Sequence, residues 1–284
     1  MKRILDLIVF EHSVFALPFA IVGFVVAQSK GALVQHHSSL ILLALVVVAA
    51  VSARTAAMAF NRIADLKFDR ENPRTSAREL VSGVVKKNEA YLLVIGASLL
   101  FFASSALLGR HCLVLAPAVL ALLFGYSFTK RFTNFSHLVL GVALALAPGG
   151  AWWVLRPVVE IEPLALMAGV LFWVAGFDII YASQDAEFDR KGGLYSIPSW
   201  LGVGRGLQLA RIFHLISGAC FLLFGVLCGF GSGYFWGLLP VGLAFLYQHS
   251  LVRESDLSRV KRAFFTVNGW VSVYYLALVI LLSW

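Results

Sequence analysis

The chain has 284 residues, of which 60% are hydrophobic and 13% charged, with a mean hydropathy of +0.85. A soluble globular domain carries about 45–50% apolar and about 25% charged residues, so this composition excludes a water-soluble globule and specifies an integral membrane protein. The net charge of +8 follows from membrane sidedness and calls for no nucleic acid.

Apolar stretches of about 17–25 residues, the length a helix needs to cross the hydrocarbon core, can be laid out nine times: 10–28, 39–64, 88–109, 112–129, 135–155, 161–184, 207–230, 234–252 and 263–283. The predicted fold is all-α, a polytopic membrane bundle of about nine transmembrane helices forming a single domain over 1–284. Eighteen Lys and Arg residues fall on the side of the amino terminus, against Lys30, Arg110 and Arg156 on the other, with Arg54 and Arg62 inside the second segment. The positive-inside bias therefore predicts a cytoplasmic amino terminus and an external carboxyl terminus. A multi-pass protein of the cell's inner membrane is expected, with the lipid bilayer as its surroundings.

In the first segment Asp6, Glu11 and His12 interrupt the apolar run, which suits a retained helix better than a cleaved signal. Pro18 predicts a kink, and Glu11 is a candidate for lining the cytoplasmic mouth. The loop 28–39 is external, and its adjacent His36 and His37 cannot share a helix face.

The second segment carries Arg54, Asn61 and Asp65, spaced by seven and four, so they fall within about 40° on one helical stripe. Asp69 lies a turn further on. An arginine this far inside an apolar helix should face the bundle interior and an anionic partner, either a carboxylate or a ligand. Asn72-Pro73 ends the helix, because the residue before proline avoids the α region. The loop 70–88 that follows is rich in Arg and Lys. Sidedness accounts for part of this, while Arg74 and Arg78, just after the carboxylates, are candidates for gripping phosphate oxygens in a guanidinium fork.

The third and fourth segments hold small residues suited to helix packing, among them Gly96, Ser98 and Gly125. The fourth ends Tyr126-Ser127-Phe128-Thr129-Lys130-Arg131, which can either cradle an anion or anchor the interface. Pro148-Gly149-Gly150 predicts a break in the fifth. In the sixth, Asp178, Asp185 and Asp189 stand at i, i+7 and i+11, three carboxylates on one face with Tyr181 beside them. Gly192-Gly193 closes that helix, and Lys191, Tyr195 and Ser196 lead onward. The glycines from Gly202 to Gly206 lack a preceding strand, so they read as a connector rather than a phosphate loop. The last three segments complete the wall, with His214 expected near an end and His249 at the interface. Cys112, Cys220 and Cys228 have no redox or metal spacing and read as apolar fillers.

Carboxylates at the mouths of membrane helices are costly unless a cation compensates them. Asp65 and Asp69, together with Asp185 and Asp189, are therefore read as one site for Mg2+, and the basic residues nearby as partners for phosphate. With an apolar cavity among helices, these features describe a lipid whose head is a diphosphate.

Asn61-x3-Asp65-x3-Asp69 followed by Arg74-Thr75 and Arg78, with Asp178-x2-Tyr181-x3-Asp185-x3-Asp189, resembles the UbiA superfamily of intramembrane aromatic prenyltransferases. The resemblance extends over nearly the whole chain: nine helices, Arg54 seven residues before the asparagine, and Tyr126 with Lys130 after the fourth. It is nearest to the branch named for 4-hydroxybenzoate polyprenyltransferases. One departure is Arg62, where the family more often has an acid after the asparagine, and this bears on the identity of the acceptor.

What the resemblance implies is a Mg2+-dependent transfer of a polyprenyl group from a polyprenyl diphosphate to an aromatic acid of the 4-hydroxybenzoate type, in ubiquinone or menaquinone biosynthesis. It implies that Asn61, Asp65, Asp69, Asp185 and Asp189 hold Mg2+ and diphosphate, with Arg74, Arg78, Lys130 and Lys191 sharing the charge. Phe60, Phe177 or Tyr181 would shield the allylic cation. Arg54 would position the aromatic carboxylate and Asp178 orient or deprotonate the phenol, while Arg62, Tyr126 and Ser196 are further candidate substrate contacts. A dihydroxynaphthoate is the alternative acceptor. A secondary transporter is the alternative from another class, opposed by acids that cluster at cytoplasmic helix ends rather than at the bilayer midplane.

Overall fold

The computed structural model describes Leu7 and residues 13–283. Glu11 and the other charged residues before Ser13 lie outside the described residues. Among those described, every predicted apolar segment is helical, as it must be where lipid offers the backbone no hydrogen bonds. The helices are α1 (Ser13–Ser29), α2 (Ser39–Ala64), α3 (Leu66–Glu71), α4 (Lys87–Leu108), α5 (Arg110–Thr129), α6 (Ser136–Leu155), α7 (Ile161–Ala182), α8 (Ala186–Lys191), α9 (Ile197–Leu201), α10 (Val203–Leu227), α11 (Ser232–Gly237), α12 (Leu239–Ser250) and α13 (Asn268–Leu282). A π-helical stretch, Arg262–Val267, leads directly into α13.

Seven helical spans are long and apolar enough to cross a membrane, and the shorter α1 is an eighth apolar helix. The segment predicted over 234–252 differs. It breaks at Leu238 into α11 and α12, with Pro240 in the first turn of α12, where its missing N–H costs no helical bond.

The chain forms two compact units, one from Met1–Ser13 and His36–Phe128, the other from Val14–Gln35 and Thr129–Trp284. In the first, α2 packs along α4. Its buried face carries Ala49, Ser52, Ala53, Ala56 and Ala59, small side chains that let helix backbones approach where lipid supplies no hydrophobic drive. Leu7, Leu66, Leu80, Val85 and Ala90 form a separate apolar cluster that fastens the loop after α3.

In the second unit α7 packs between α6 and α10. The expected break at Pro148-Gly149-Gly150 is absent, because α6 runs unbroken from Ser136 to Leu155. Pro148 and Gly149 lie at close approaches instead: a Cβ on Gly23 of α1 would collide with the Pro148 carbonyl, and one on Gly149 with the Met167 side chain of α7. α1 likewise continues through Pro18. In the core Phe19 stacks with Phe221 and Tyr275 and packs at a tilt against Trp173, whose Nε1 donates to Asn268.

His214 corrects its predicted place. It lies in the middle of α10, buried, with Nδ1 2.9 Å from Nε2 of His249 and Phe245 stacked on its ring. A partner on α12 makes the site tolerable for an imidazole, and it gives His249 a hydrogen-bonding role beyond the interface. The three cysteines are free, and Gly202 forms the turn between α9 and α10, in keeping with a connector.

Candidate active site

The first acidic stretch does not continue α2 as a straight helix. Asp65 takes φ −91° and ψ 4°, ends α2 and begins α3. This is the sparsely allowed bridge region, where residues of many active sites are found. The ladder nevertheless passes through the bend, from Asp65 N–H to the Asn61 carbonyl at 2.9 Å and from Asp69 N–H to the Asp65 carbonyl at 2.8 Å. The predicted Asn61–Asp65 adjacency is realised: Asn61 Nδ2 donates to Asp65 Oδ2 at 2.9 Å, with Ser127 Oγ at 3.4 Å.

Asp69 is buried and meets Arg78, whose Nη1 lies 2.6 and 2.8 Å from the two carboxylate oxygens. The loop between them is tied back to the helix. Thr75 Oγ1 donates to the Asp69 carbonyl, and the Arg74 N–H donates to Asn72 Oδ1. That Asx turn follows from Asn72-Pro73 ending α3. Arg74 is exposed. Arg62 is buried, with Nε donating to the Leu7 carbonyl at 3.2 Å. Arg54 and Tyr126 are half-buried on α2 and α5. Phe60 packs against Phe124, with ring centroids 4.5 Å apart, and against Phe128.

The second stretch bends in the same way. After α7 a 3-10 turn covers Ser183–Asp185, and Asp185 takes φ −102° and ψ 2° before α8. Asp185 and Asp189 are buried. Lys130, just beyond α5, reaches Asp189 Oδ2 at 3.2 Å, and its carbonyl accepts from the Tyr195 N–H at 2.7 Å. Burial pulls the Lys130 ammonium down, but the charges of Asp189, Asp178 and Asp185 outweigh it, so its pKa stands above the ordinary lysine value. The three carboxylates of this stretch thus share the field of one ammonium, although the 3-10 turn departs from the straight helix that their spacing assumed.

The two stretches also repeat in sequence. Asp65-Leu66-Lys67-Phe68-Asp69-Arg70 and Asp185-Ala186-Glu187-Phe188-Asp189-Arg190 share the pattern Asp-x-x-Phe-Asp-Arg. In each, the phenylalanine carbonyl closes the short helix, accepting from Asn72 at 3.0 Å and from Gly192 at 2.8 Å.

Other predicted residues have narrower placements. Ser196 is buried as the N-cap of α9, where it accepts from the Ser199 N–H. Lys191 pairs with Glu187 at 2.6 Å on the exposed face of α8, a pair of small energetic weight. Phe177 is 1% exposed and enclosed by Phe15, Trp173 and Phe264, so it is a core residue rather than a free cavity wall. Tyr181 lies with its ring 4.2 Å from that of Phe264 in the π-helical stretch. Asp178, whose side chain is 14% exposed, is 2.6 Å from Nδ1 of the fully buried His137. His137 was not singled out from sequence. A histidine opening an apolar segment was the available signal, since polar groups in membrane helices are costly without a task.

Asp65, Asp69, Asp185 and Asp189 are hard oxygen donors, the type that Mg2+ prefers. Among the described residues, no three His, Cys, Asp or Glu side chains converge as a metal site. Guanidinium and ammonium groups instead hold Asp69 and Asp189. The donor chemistry therefore fits Mg2+, with the outer carboxylates charge-paired by Arg78 and Lys130.

The chain matches the UbiA prenyltransferase family over residues 16–272. It is 31% identical to a 4-hydroxybenzoate octaprenyltransferase of Chromohalobacter salexigens, over 81% of this chain and 77% of that protein. A protein of the same name from Francisella tularensis subsp. novicida is 27% identical over 78% of each. Among solved structures, the apo form of a UbiA homologue from Aeropyrum pernix superposes with a TM-score of 0.84 at 35% identity, covering 95% of this chain and 98% of the other. A UbiA homologue from Archaeoglobus fulgidus bound to GPP and Mg2+ gives 0.74 at 20% identity, covering 99% of each chain, a likeness of fold.

Proposed function

The chain belongs to the UbiA prenyltransferase family and is an intramembrane aromatic prenyltransferase, and from that premise we propose that it transfers a polyprenyl group from its diphosphate to 4-hydroxybenzoate. The observation that carries the reading is the repeated bend at Asp65 and at Asp185, each followed one turn on by a buried aspartate with a basic partner. The names of the relatives support the acceptor. We place the reaction in quinone biosynthesis and in the cell's inner membrane.

In this reading Asp65, Asp69, Asp185 and Asp189 hold Mg2+, with Asn61 steadying Asp65 through its amide. Bound Mg2+ supplies Lewis acidity toward the diphosphate oxygens and neutralises charge as the leaving group departs. Arg78 and Lys130, already beside Asp69 and Asp189, are placed to share that charge. Arg74 and Lys191, both exposed, are the further candidates for phosphate contacts. Tyr126 and Ser196 remain candidate substrate contacts, Ser196 only if it leaves its capping bond.

The allylic C–O bond breaks and its electron pair leaves on the diphosphate. The ring carbon beside the acceptor hydroxyl supplies the pair for the new C–C bond. Asp178 takes the hydroxyl proton as that bond forms, and the proton on the substituted carbon then returns to the oxygen, restoring the aromatic phenol. Tyr181 and Phe60 offer π faces to the cation, and Arg54 pairs with the acceptor carboxylate.

The test is diphosphate release from geranyl diphosphate by purified protein, with and without Mg2+, using 4-hydroxybenzoate or 1,4-dihydroxy-2-naphthoate as acceptor. Mg2+-dependent release with 4-hydroxybenzoate is expected. Release only with the naphthoate would reassign the acceptor, to which Arg62 in place of the family's usual acid already draws attention. No release with either would overturn the reading.

A further inference from the structure

His137 is the second residue of α6 and has no exposed surface. It touches two polar partners. Nδ1 lies 2.6 Å from Asp178 Oδ2, and Nε2 lies 3.3 Å from the backbone nitrogen of Ile197, the first residue of α9. A backbone N–H can only donate, so Nε2 accepts from it. In a neutral imidazole the proton must then sit on Nδ1, where it is donated to Asp178. The Ile197 N–H is itself held in place, because Ser196 and Ser199 close a capping box around the start of α9. A chain of fixed donors therefore runs from a helix N-terminus through one imidazole to one carboxylate.

This arrangement commits one carboxylate oxygen. Among the described residues no other hydrogen bond engages the Asp178 carboxylate, so Oδ1 is left to accept. A carboxylate on a membrane helix is costly without a partner, and a partner with the opposite tautomer would present a lone pair to Oδ2 and repel it. The Ile197 N–H prevents that tautomer. The same bond bars the ring from turning, because a flipped imidazole would lose both contacts together.

We propose that His137 is a positioning residue of the prenyl-transfer reaction, its Nδ1–H orienting Asp178 so that Oδ1 takes the hydroxyl proton of the acceptor phenol. The inference rests on the assignment of Asp178 made above. The proton moves from the phenol oxygen to Asp178 Oδ1 while the ring carbon forms its bond to the prenyl group. His137 keeps its own proton throughout, in the manner of a group that holds a catalytic partner in the correct orientation.

The test separates the two ring nitrogens. An asparagine amide reproduces the donor position of Nδ1, and a glutamine amide reaches the position of Nε2. His137→Asn, His137→Gln and Asp178→Ala are purified and assayed with geranyl diphosphate and 4-hydroxybenzoate, with thermal stability measured on each. His137→Gln is expected to lower kcat about 10- to 100-fold, the range typical of lost orienting partners, with the KM for geranyl diphosphate unchanged, and His137→Asn to restore most of it. The reverse order, with Gln active and Asn impaired, would mean that His137 serves only the start of α9 and would overturn the proposal. Normal kcat in both variants with Asp178→Ala impaired would also overturn it while sparing Asp178. Normal kcat in Asp178→Ala would instead remove the assignment on which it rests. If the variants do not fold, wild-type protein with 15N-labelled histidine rings decides. At least one of the seven histidines should be the neutral tautomer protonated at Nδ1, and its absence would refute the proposal.

Discussion

Asp65 and Asp185 hold the same backbone conformation, φ −91° and ψ 4° for one and φ −102° and ψ 2° for the other, and each ends a helix and starts a short one. Each is the conformation of the third residue of a type I turn, open to any side chain, and it interrupts the regular helix at the same place in both stretches. The effect is to turn the next aspartate, Asp69 or Asp189, into a buried position beside a basic side chain.

Asp65→Ala and Asp185→Ala are expected to lower Mg2+-dependent turnover by at least about 100-fold, the scale of losing one electrostatic contact to a transition state. The short helices that follow need no carboxylate, so the thermal midpoint should move by less than about 4 °C. Near-normal turnover in both variants would end the assignment of these residues to the metal.

Arg78→Ala strips the partner from buried Asp69, and an unpaired buried carboxylate costs more than the about 1–3 kcal/mol of a neutral polar group. Mg2+ titration followed by thermal unfolding provides the check. Because Asp69 is assigned to the metal, Mg2+ should stabilise Arg78→Ala more than wild type. An equal response in both proteins would show that Asp69 does not contact the ion.

Arg54→Lys keeps the charge but loses the planar two-nitrogen fork that matches a carboxylate. Steady-state kinetics should show a higher KM for 4-hydroxybenzoate, by about tenfold, with the KM for geranyl diphosphate little changed, the pattern of a lost acceptor contact. Equal effects on both substrates, or a large loss of stability, would make Arg54 structural.

Glu160, in the loop between α6 and α7, accepts from Arg156 and from Trp152 Nε1. The Arg156 hydrogen bond, against some opposing desolvation, holds its pKa below the ordinary 4.5. A lowered folded pKa gives stability that is complete above 4.5 and lost as pH falls through the folded value. The difference in thermal midpoint between wild type and Glu160→Gln should therefore be constant from pH 8 to about pH 5 and shrink below about pH 4.5. A difference that grows on acidification would contradict the pairing.

The sequence alone determined the membrane fold, because twenty-residue apolar runs leave the backbone no structure but the helix, and it marked the two acidic stretches, because paired aspartates at the end of an apolar run are costly without a task. It also contains the Asp-x-x-Phe-Asp-Arg repeat, and in the fold both copies leave the α-helix at their first aspartate. Tertiary structure decided the rest. Helical periodicity extrapolates straight through Asp65 and Ser183–Asp185, where the chain leaves the α-helix. Pro148-Gly149-Gly150 reads locally as a break, yet α6 is continuous there, with Pro148 close against Gly23 and Gly149 against Met167. Ser196 reads as a loop hydroxyl and proves to be a cap. His137 gains its role from Asp178, 41 residues on, and from the N–H of Ile197, 60 residues on. Hydrogen bonds of that range leave no periodic trace in a single sequence, and only the folded chain brings their ends together.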